Sequence, residues 1–306
     1  MIDHIKLCEY NSLPKTAKLK LAVVGHVEWV SFLRVNQLPK AGRISHSNES
    51  IEFPAGGAAV TAVQMAKSNN QEVHLFTALG ADTEGRASYE ILSEMGLIVH
   101  AAWRNKPTRK GISMVDKNGE RAITVIGERL QPLSKDALPW EDLKNFDGVF
   151  ITATDELGIK LCRESKKVLI TPRLGKEVIK KSGIKIDVLV GSGLDPDERM
   201  VLKELKHQSS LTISTEGEAG GEVFPGGRFA SFKVNSKVVD TYGCGDSFAA
   251  GLTTGIAANW ELEKAISLGA YLGANCSTFF GPYADMKKAK VSHHKNNEKV
   301  NSIKYK

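Results

Sequence analysis

Short apolar runs separated by helix-length segments are what most constrain the fold of this chain. Leu21-Ala22-Val23-Val24 ends at Gly25, and Val73–Ala78, Gly148–Thr152, Val168–Thr171, Val188–Val190 and Leu211–Ser214 repeat the pattern. Brief apolar runs bounded by turn residues suit strands buried on both faces. Such strands alternating with helices predict an α/β fold, with a central, mostly parallel sheet covered by helices on both faces. Helices are expected after Pro54-Ala55-Gly56-Gly57, from Ala87 to Met95 with Gly96 as the stop, and as a pair following Asp246. The second of that pair, about Leu262 to Thr278, carries Ala265, Gly269, Ala270, Gly273 and Ala274, a small-residue face for close packing.

Two stretches leave this pattern and return to it, Val27–Phe53 and Val99–Val125. Both are β-rich and broken by Gly or Pro. Gly111–Val115 and Ala122–Ile126 flank Lys117-Asn118-Gly119-Glu120, and Asn-Gly is a strong hairpin signal. A second, small sheet built from segments at about 27–53 and 99–126 accounts for both. Placed at the carboxyl ends of the main strands, where open α/β sheets bind ligands, it would act as a lid. Its exposed strand edges offer a surface for a homodimer. The main domain is expected over 19–283, after a polar extension at 1–18 and before a basic tail at 284–306.

The charge balance narrows the partners. The formal net charge of +6 is concentrated in the tail, where seven lysines face two acids from Asp285 onward. The rest of the 306 residues is close to neutral, so a nucleic-acid partner is not expected. No apolar run is long enough to span a membrane, and the N-terminus lacks the apolar core of a signal peptide. Cys8, Cys162, Cys244 and Cys276 show neither paired nor metal-type spacing, which suits a reducing cytoplasm.

The chemistry is concentrated in Asp240-Thr241-Tyr242-Gly243-Cys244-Gly245-Asp246-Ser247-Phe248-Ala249-Ala250-Gly251. Phe248, Leu252 and Ile256 recur at a spacing of four, so the run reads as a turn entering a helix. Unpaired N–H groups and the positive dipole end at a helix start favour anions, phosphate above all. Asp246 beside such a site would repel the anion, unless its work is to take a proton from a hydroxyl attacking a phosphoryl group. The plainer alternative is a turn with Asp246 as its N-cap. A thiol at Cys244 would gain reactivity from the same helix start.

The run written DTYGCGDSFAAG resembles the DTxGAGD motif of the ribokinase-like (PfkB) sugar and nucleoside kinases. The similarity covers roughly Leu19 to Tyr283. It includes Gly25 followed by Pro39 and Gly42, Gly56-Gly57, the turn at Leu79–Gly85, an acidic pair ending in Glu198, and Thr215-x-Gly217-x-x-Gly220. The resemblance implies a ribokinase-like sheet with a β lid, ATP with Mg2+, and phosphorylation of a primary hydroxyl. Asp246 then matches the catalytic base, and Gly243, Cys244 and Gly245 the anion hole. Glu198, with Asp195, matches the motif that acts on magnesium and its waters. Thr215, Gly217 and Gly220 match a turn near the nucleotide. Asp240, Thr241 and the loop at Gly281 lie where many members hold a monovalent cation such as K+.

The departures are on the acceptor side. The family's sugar-binding Asp falls on Val30, its Asn after Gly56-Gly57 on Thr61, and the Asn of its magnesium motif on Asp195. Valine accepts no hydrogen bond. Glu28 either faces water or replaces the lost carboxylate, since two residues along a strand share a face. Arg109 and Arg173 are candidates to pair with a substrate phosphate or carboxylate. The reading is an ATP-dependent kinase for a sugar, sugar derivative or nucleoside. Its alternative is a catalytically weak nucleotide- or sugar-binding protein on the same fold.

Overall fold

The computed structural model describes residues 4–69 and 71–284; the basic tail read from the sequence lies, beyond Ala284, outside them. The chain opens with β1 (His4–Ile5), β2 (Lys20–Val24), β3 (Glu28–Val35), β4 (Ser47–Ala55) and α1 (Gly57–Asn69). It continues through β5 (Glu72–Gly80), α2 (Thr83–Glu94), β6 (Ile98–Arg104), β7 (Lys110–Val115) and β8 (Arg121–Ile126). Then come β9 (Gly148–Ile151), α3 (Glu156–Cys162), β10 (Val168–Ile170), α4 (Lys176–Ser182), β11 (Ile186–Ser192) and α5 (Pro196–Leu205). The last elements are β12 (Ser209–Thr215), β13 (Gly221–Phe224), β14 (Arg228–Phe229), α6 (Cys244–Ala257) and α7 (Leu262–Cys276).

Ten strands form one sheet in the order β1-β14-β13-β12-β11-β10-β9-β2-β5-β6. From β12 to β6 every neighbouring pair is parallel. Strand alternation divides the core. Leu21, Val23, Leu75 and Phe150 pack with Val60, Phe248, Leu252 and Ile266 from α1, α6 and α7. Ala22, Val24, Phe76 and Ile151 point the other way, to Ile159, Ile179 and Leu202 from α3, α4 and α5. Each large apolar side chain buried there contributes about 1.5–3 kcal/mol relative to exposure. The small-residue face read on α7 meets α6 closely: a Cβ on Gly251 would come within 2.7 Å of the Gly269 backbone.

The second sheet has four strands in the order β4-β3-β7-β8. Its hairpin turns at Asn118-Gly119, where Gly119 has φ +82 and the Asp116 carboxylate accepts the N–H groups of Asn118 and Glu120. Two boundaries differ from the sequence reading. Residues 98–104 belong to the large sheet as its edge strand β6, paired with β5, so the second insertion starts at β7. β texture marks a strand but not its sheet. The segment before Leu19 is also not a free extension. β1 pairs with β14, and Tyr10 stacks on Tyr271 of α7 with ring centroids 3.8 Å apart.

Candidate active site

The strand order places a crevice at one point. From β2 the chain adds β5 and β6 on one side and then β9 to β12 on the other, and such a reversal opens a crevice at the carboxyl ends. β2 runs out at Gly25 and β9 at Thr152, whose N–H donates to the Val24 carbonyl at 2.8 Å. The two strand ends touch there: a Cβ on Gly25 would lie 1.8 Å from the Thr152 hydroxyl oxygen. That hydroxyl is buried without a hydrogen-bond partner.

Helix α6 opens onto this crevice. Its N-cap is Gly243, at φ +80, and no side chain caps the helix. Glycine is what a left-handed N-cap requires, and the uncapped N–H groups keep the positive dipole end available. Gly245 is exposed, and a Cβ there would meet nothing within 4 Å. Asp246 stands in the first turn, so it is not the cap. Its Oδ1 lies 3.2 Å from where a Cβ of Gly57 would be. Burial, opposed by Arg173 and Arg121 and reinforced by Glu198 and Glu28, pushes its carboxyl up to about 6. That value suits a group that must be ionised at neutral pH and still hold a proton well.

Glu198 is buried on α5. Its Oε1 accepts the Arg173 Nε–H and its Oε2 accepts the Ser192 N–H at 2.9 Å. Arg173, read as an anion-binding candidate, is thereby engaged by Glu198. Asp195 is the N-cap of α5, its Oδ1 accepting from Asp197 N at 2.9 Å and Glu198 N at 3.2 Å. The cap orients the first turn that carries Glu198. Among the described residues, no three His, Cys, Asp or Glu side chains cluster as a ready metal site.

Thr215 ends β12, with its hydroxyl 3.4 Å from the Gly191 carbonyl. Gly217 and Gly220 turn the chain into β13, both at positive φ. Leu194 stands beside Gly217 and is 67% exposed, an apolar ledge suited to a flat base. Asp240 is fully buried. Its Oδ1 accepts Tyr242 N at 2.9 Å and its Oδ2 accepts Gly281 N at 3.0 Å, so it ties the turn before α6 to the C-terminal loop. Thr241 lies in that turn, its carbonyl 3.4 Å from Cys244 N. Cys244 opens α6 next to the buried Cys276, whose thiol is held well above its ordinary range by Cys244 and by burial.

The acceptor side is built on β3 and the Gly56-Gly57 turn. Glu28 is buried, not water-facing, and lies 3.3 Å from Arg109 Nε and 3.6 Å from His26 Nε2. Burial raises its pKa, against the pull of Arg109, Arg129 and Arg173. Thr61 is fully buried and donates to the Asp246 carbonyl at 3.3 Å; it supports α6 from behind. Tyr242 accepts the Gly56 N–H at 3.3 Å, joining the glycine turn to the Asp240 run. Sequence reasoning missed His26, Arg129 and Thr152. His26 directly follows the strand-ending Gly25, a signal that was available. Arg129 gave none, because its place depends on how the β7–β8 hairpin returns to the sheet.

The model of the pfkB family carbohydrate kinases matches residues 18–289. A ribokinase of Lactococcus lactis subsp. lactis is 25% identical over 283 residues, covering 88% of this chain and 94% of the relative. An ATP-dependent ribose-1-phosphate kinase of Halopiger xanaduensis is 23% identical over 281 residues, covering 84% and 91%. The structure of Arabidopsis thaliana ribokinase complexed with ribose and ATP superposes with a TM-score of 0.68 at 18% identity, covering 89% of this chain and 97% of that one.

Proposed function

Because this chain belongs to the pfkB family of carbohydrate kinases, phosphotransferases with an alcohol group as acceptor, we propose that it moves the γ-phosphoryl group of ATP to a primary hydroxyl of a sugar, sugar derivative or nucleoside. The observation that carries this is Asp246, a carboxylate with a pKa of about 6 in the first turn of an uncapped helix. The acceptor hydroxyl lies against Asp246 and the transferring group against the N–H groups of Gly243, Cys244 and Gly245. As the new O–P bond forms and the bond to ADP breaks, the hydroxyl proton passes to Asp246. The N–H groups are fixed before the charge develops, so they stabilise it without reorganising.

The residues fit a magnesium ion held through water: Glu198 supplies hard carboxylate oxygens, both already anchored by hydrogen bonds. When bound, the ion would neutralise phosphate charge. A monovalent cation beside Asp240 would share a carboxylate that already accepts two N–H bonds; rates in potassium against sodium test that reading. No helix among the described residues is long and apolar enough to cross a membrane. All four cysteines are unpaired, and we place the protein in a reducing compartment, the cytoplasm. ADP release measured over a broad panel of hydroxyl compounds tests the reading. Turnover of any member supports it, and none would leave a ligand-binding protein on a kinase fold.

The four-stranded sheet is proposed as the lid. Glu28, Val30, Gly111 and Ile123 share its crevice-side face by register. Amide exchange in Ile44–Phe53 and Gly111–Ile126 is expected to slow when substrate is added, because closure excludes water. Unchanged exchange at saturation would rule the lid out. A homodimer is proposed through the same sheet, whose edge strand β8 leaves Ile123, Val125 and Ile126 half-exposed; sedimentation velocity decides it. Alkylating Cys244 is expected to inactivate the enzyme, with ATP slowing the loss, since the adduct would fill the anion hole. Full activity after verified modification would refute that placement.

A further inference from the structure

The β7–β8 hairpin returns two arginines to one place. Arg109 precedes β7 and Arg129 follows β8, with Lys110 paired to Ile126 between them. A Cβ on Gly127 would lie 4.0 Å from the Arg109 Cα. Arg109 Nε is buried and makes no hydrogen bond; Glu28 Oε1, 3.3 Å away, is a charge partner only. Arg129 Nη1 donates to the Arg173 carbonyl at 3.2 Å. Its guanidinium is held below its ordinary range by burial first and then by Arg109. His26 adds no positive charge, since burial and then Arg129, Arg109 and Arg173 push it down to about 3.

Two guanidinium groups therefore act on the single carboxylate of Glu28, Arg109 from 3.3 Å and Arg129 through its charge. Like charges in a half-buried pocket cost free energy, and a bound anion would offset that cost. Arg173 stands apart from the pair, because its Nε–H is donated to Glu198, the residue assigned to magnesium. The spacing to the chemistry is short. Glu28 Cγ lies 3.2 Å from a Cβ position on Gly56, and Asp246 Oδ1 lies 3.2 Å from one on Gly57. Consecutive Cα atoms are about 3.8 Å apart, so one small sugar can reach both ends.

We propose that the acceptor is an anionic sugar whose phosphate or carboxylate is held by Arg109 and Arg129 while its hydroxyl lies at Asp246. The hydroxyl end rests on the kinase reading; the charged end rests on the arginine pair. The test uses the full chain in two assays. Thermal shift and ADP release are both measured with ribose, fructose and glucose, with ribose 1-phosphate and fructose 6-phosphate, each of which keeps a free primary hydroxyl, and with gluconate. Anionic sugars are expected to raise the melting temperature where neutral parents do not, and the better of the phosphate and carboxylate arms identifies the group. Arg129→Gln is expected to raise KM for the anionic sugar by about 10- to 100-fold, the loss of a charge-assisted bond, with the KM for ATP unmoved. Arg129→Lys, which keeps the charge but not the fork, is expected to recover part of that loss. Neutral parents that bind and react as well as the anionic sugars would overturn the proposal and leave the kinase reading intact. Stabilisation by anionic sugars without any turnover would do the reverse.

Discussion

Asp246→Asn is expected to lower kcat by at least about 100-fold, the small end of what a general base supplies, and at the same time to make the protein more stable at neutral pH. The two effects have one origin. The Asp246 carboxyl has a pKa of about 6 instead of 3.8 because burial disfavours its charge. A carboxyl whose folded pKa is raised favours the fold when protonated, at pH below about 4, and loses that contribution as pH rises through about 6. Above that window the native state bears the cost of an ionised group. Two pKa units correspond to about 3 kcal/mol, a ceiling here because the carboxyl is partly open to solvent. Asparagine keeps the shape without the charge. The variant should therefore melt higher than the parent at about pH 8 and alike at about pH 4.

Activity follows the same group with the opposite sense. The base must be ionised, so kcat/KM should fall as pH drops through about 6, with a slope that Asp246→Asn removes. Nucleotide affinity is expected to hold or tighten, since a negative charge leaves the phosphate site. A near-normal kcat, or an unchanged melting temperature at about pH 8, would remove Asp246 from the role assigned to it. An N-cap would have predicted neither effect, because Asp and Asn cap equally well.

What the sequence showed and what it hid divide along the range of the interactions. The Asp240–Gly251 run was legible because a turn, a helix start and a carboxylate are local, and their spacing carries the chemistry. The buried strands were legible because apolar runs such as Leu21–Val24 are covered on both faces. Sheet membership was not, since Ile98–Arg104 has the same β texture whether it pairs with β5 or with β7. The partners of charged residues were hidden for a related reason. Arg173 and Glu198 are 25 positions apart, and Arg129 reaches Arg173 over 44. Glu28 looked like a lone stand-in for the carboxylate absent at Val30, and only the fold shows it against Arg109 and His26.

Asp240→Asn, the same substitution six residues upstream, is expected to have the opposite effect on stability. Asp240 is fully buried, and both of its oxygens accept backbone N–H groups, from Tyr242 at 2.9 Å and Gly281 at 3.0 Å. Asparagine has one acceptor oxygen. Whichever way it is turned, its amide N–H2 faces an N–H, leaving a buried donor without a partner. The two facing donors, the amide and the backbone N–H, cost about 1–3 kcal/mol each, so a loss of about 2–6 kcal/mol is expected, a fall in melting temperature of roughly 3–9 °C at this chain length. The damage should also reach the chemistry. Asp240 fixes Tyr242, whose hydroxyl accepts the Gly56 N–H at 3.3 Å, and Asp246 Oδ1 lies 3.2 Å from where a Cβ of the adjacent Gly57 would be. Losing that brace is expected to lower kcat while the pH at which activity falls stays near 6, because the base itself is untouched. Melting curves of the two asparagine variants, run side by side at about pH 8, should move in opposite directions from the parent. Movement in the same direction would mean that the two carboxylates are not divided, as the geometry divides them, between proton transfer and holding the turn.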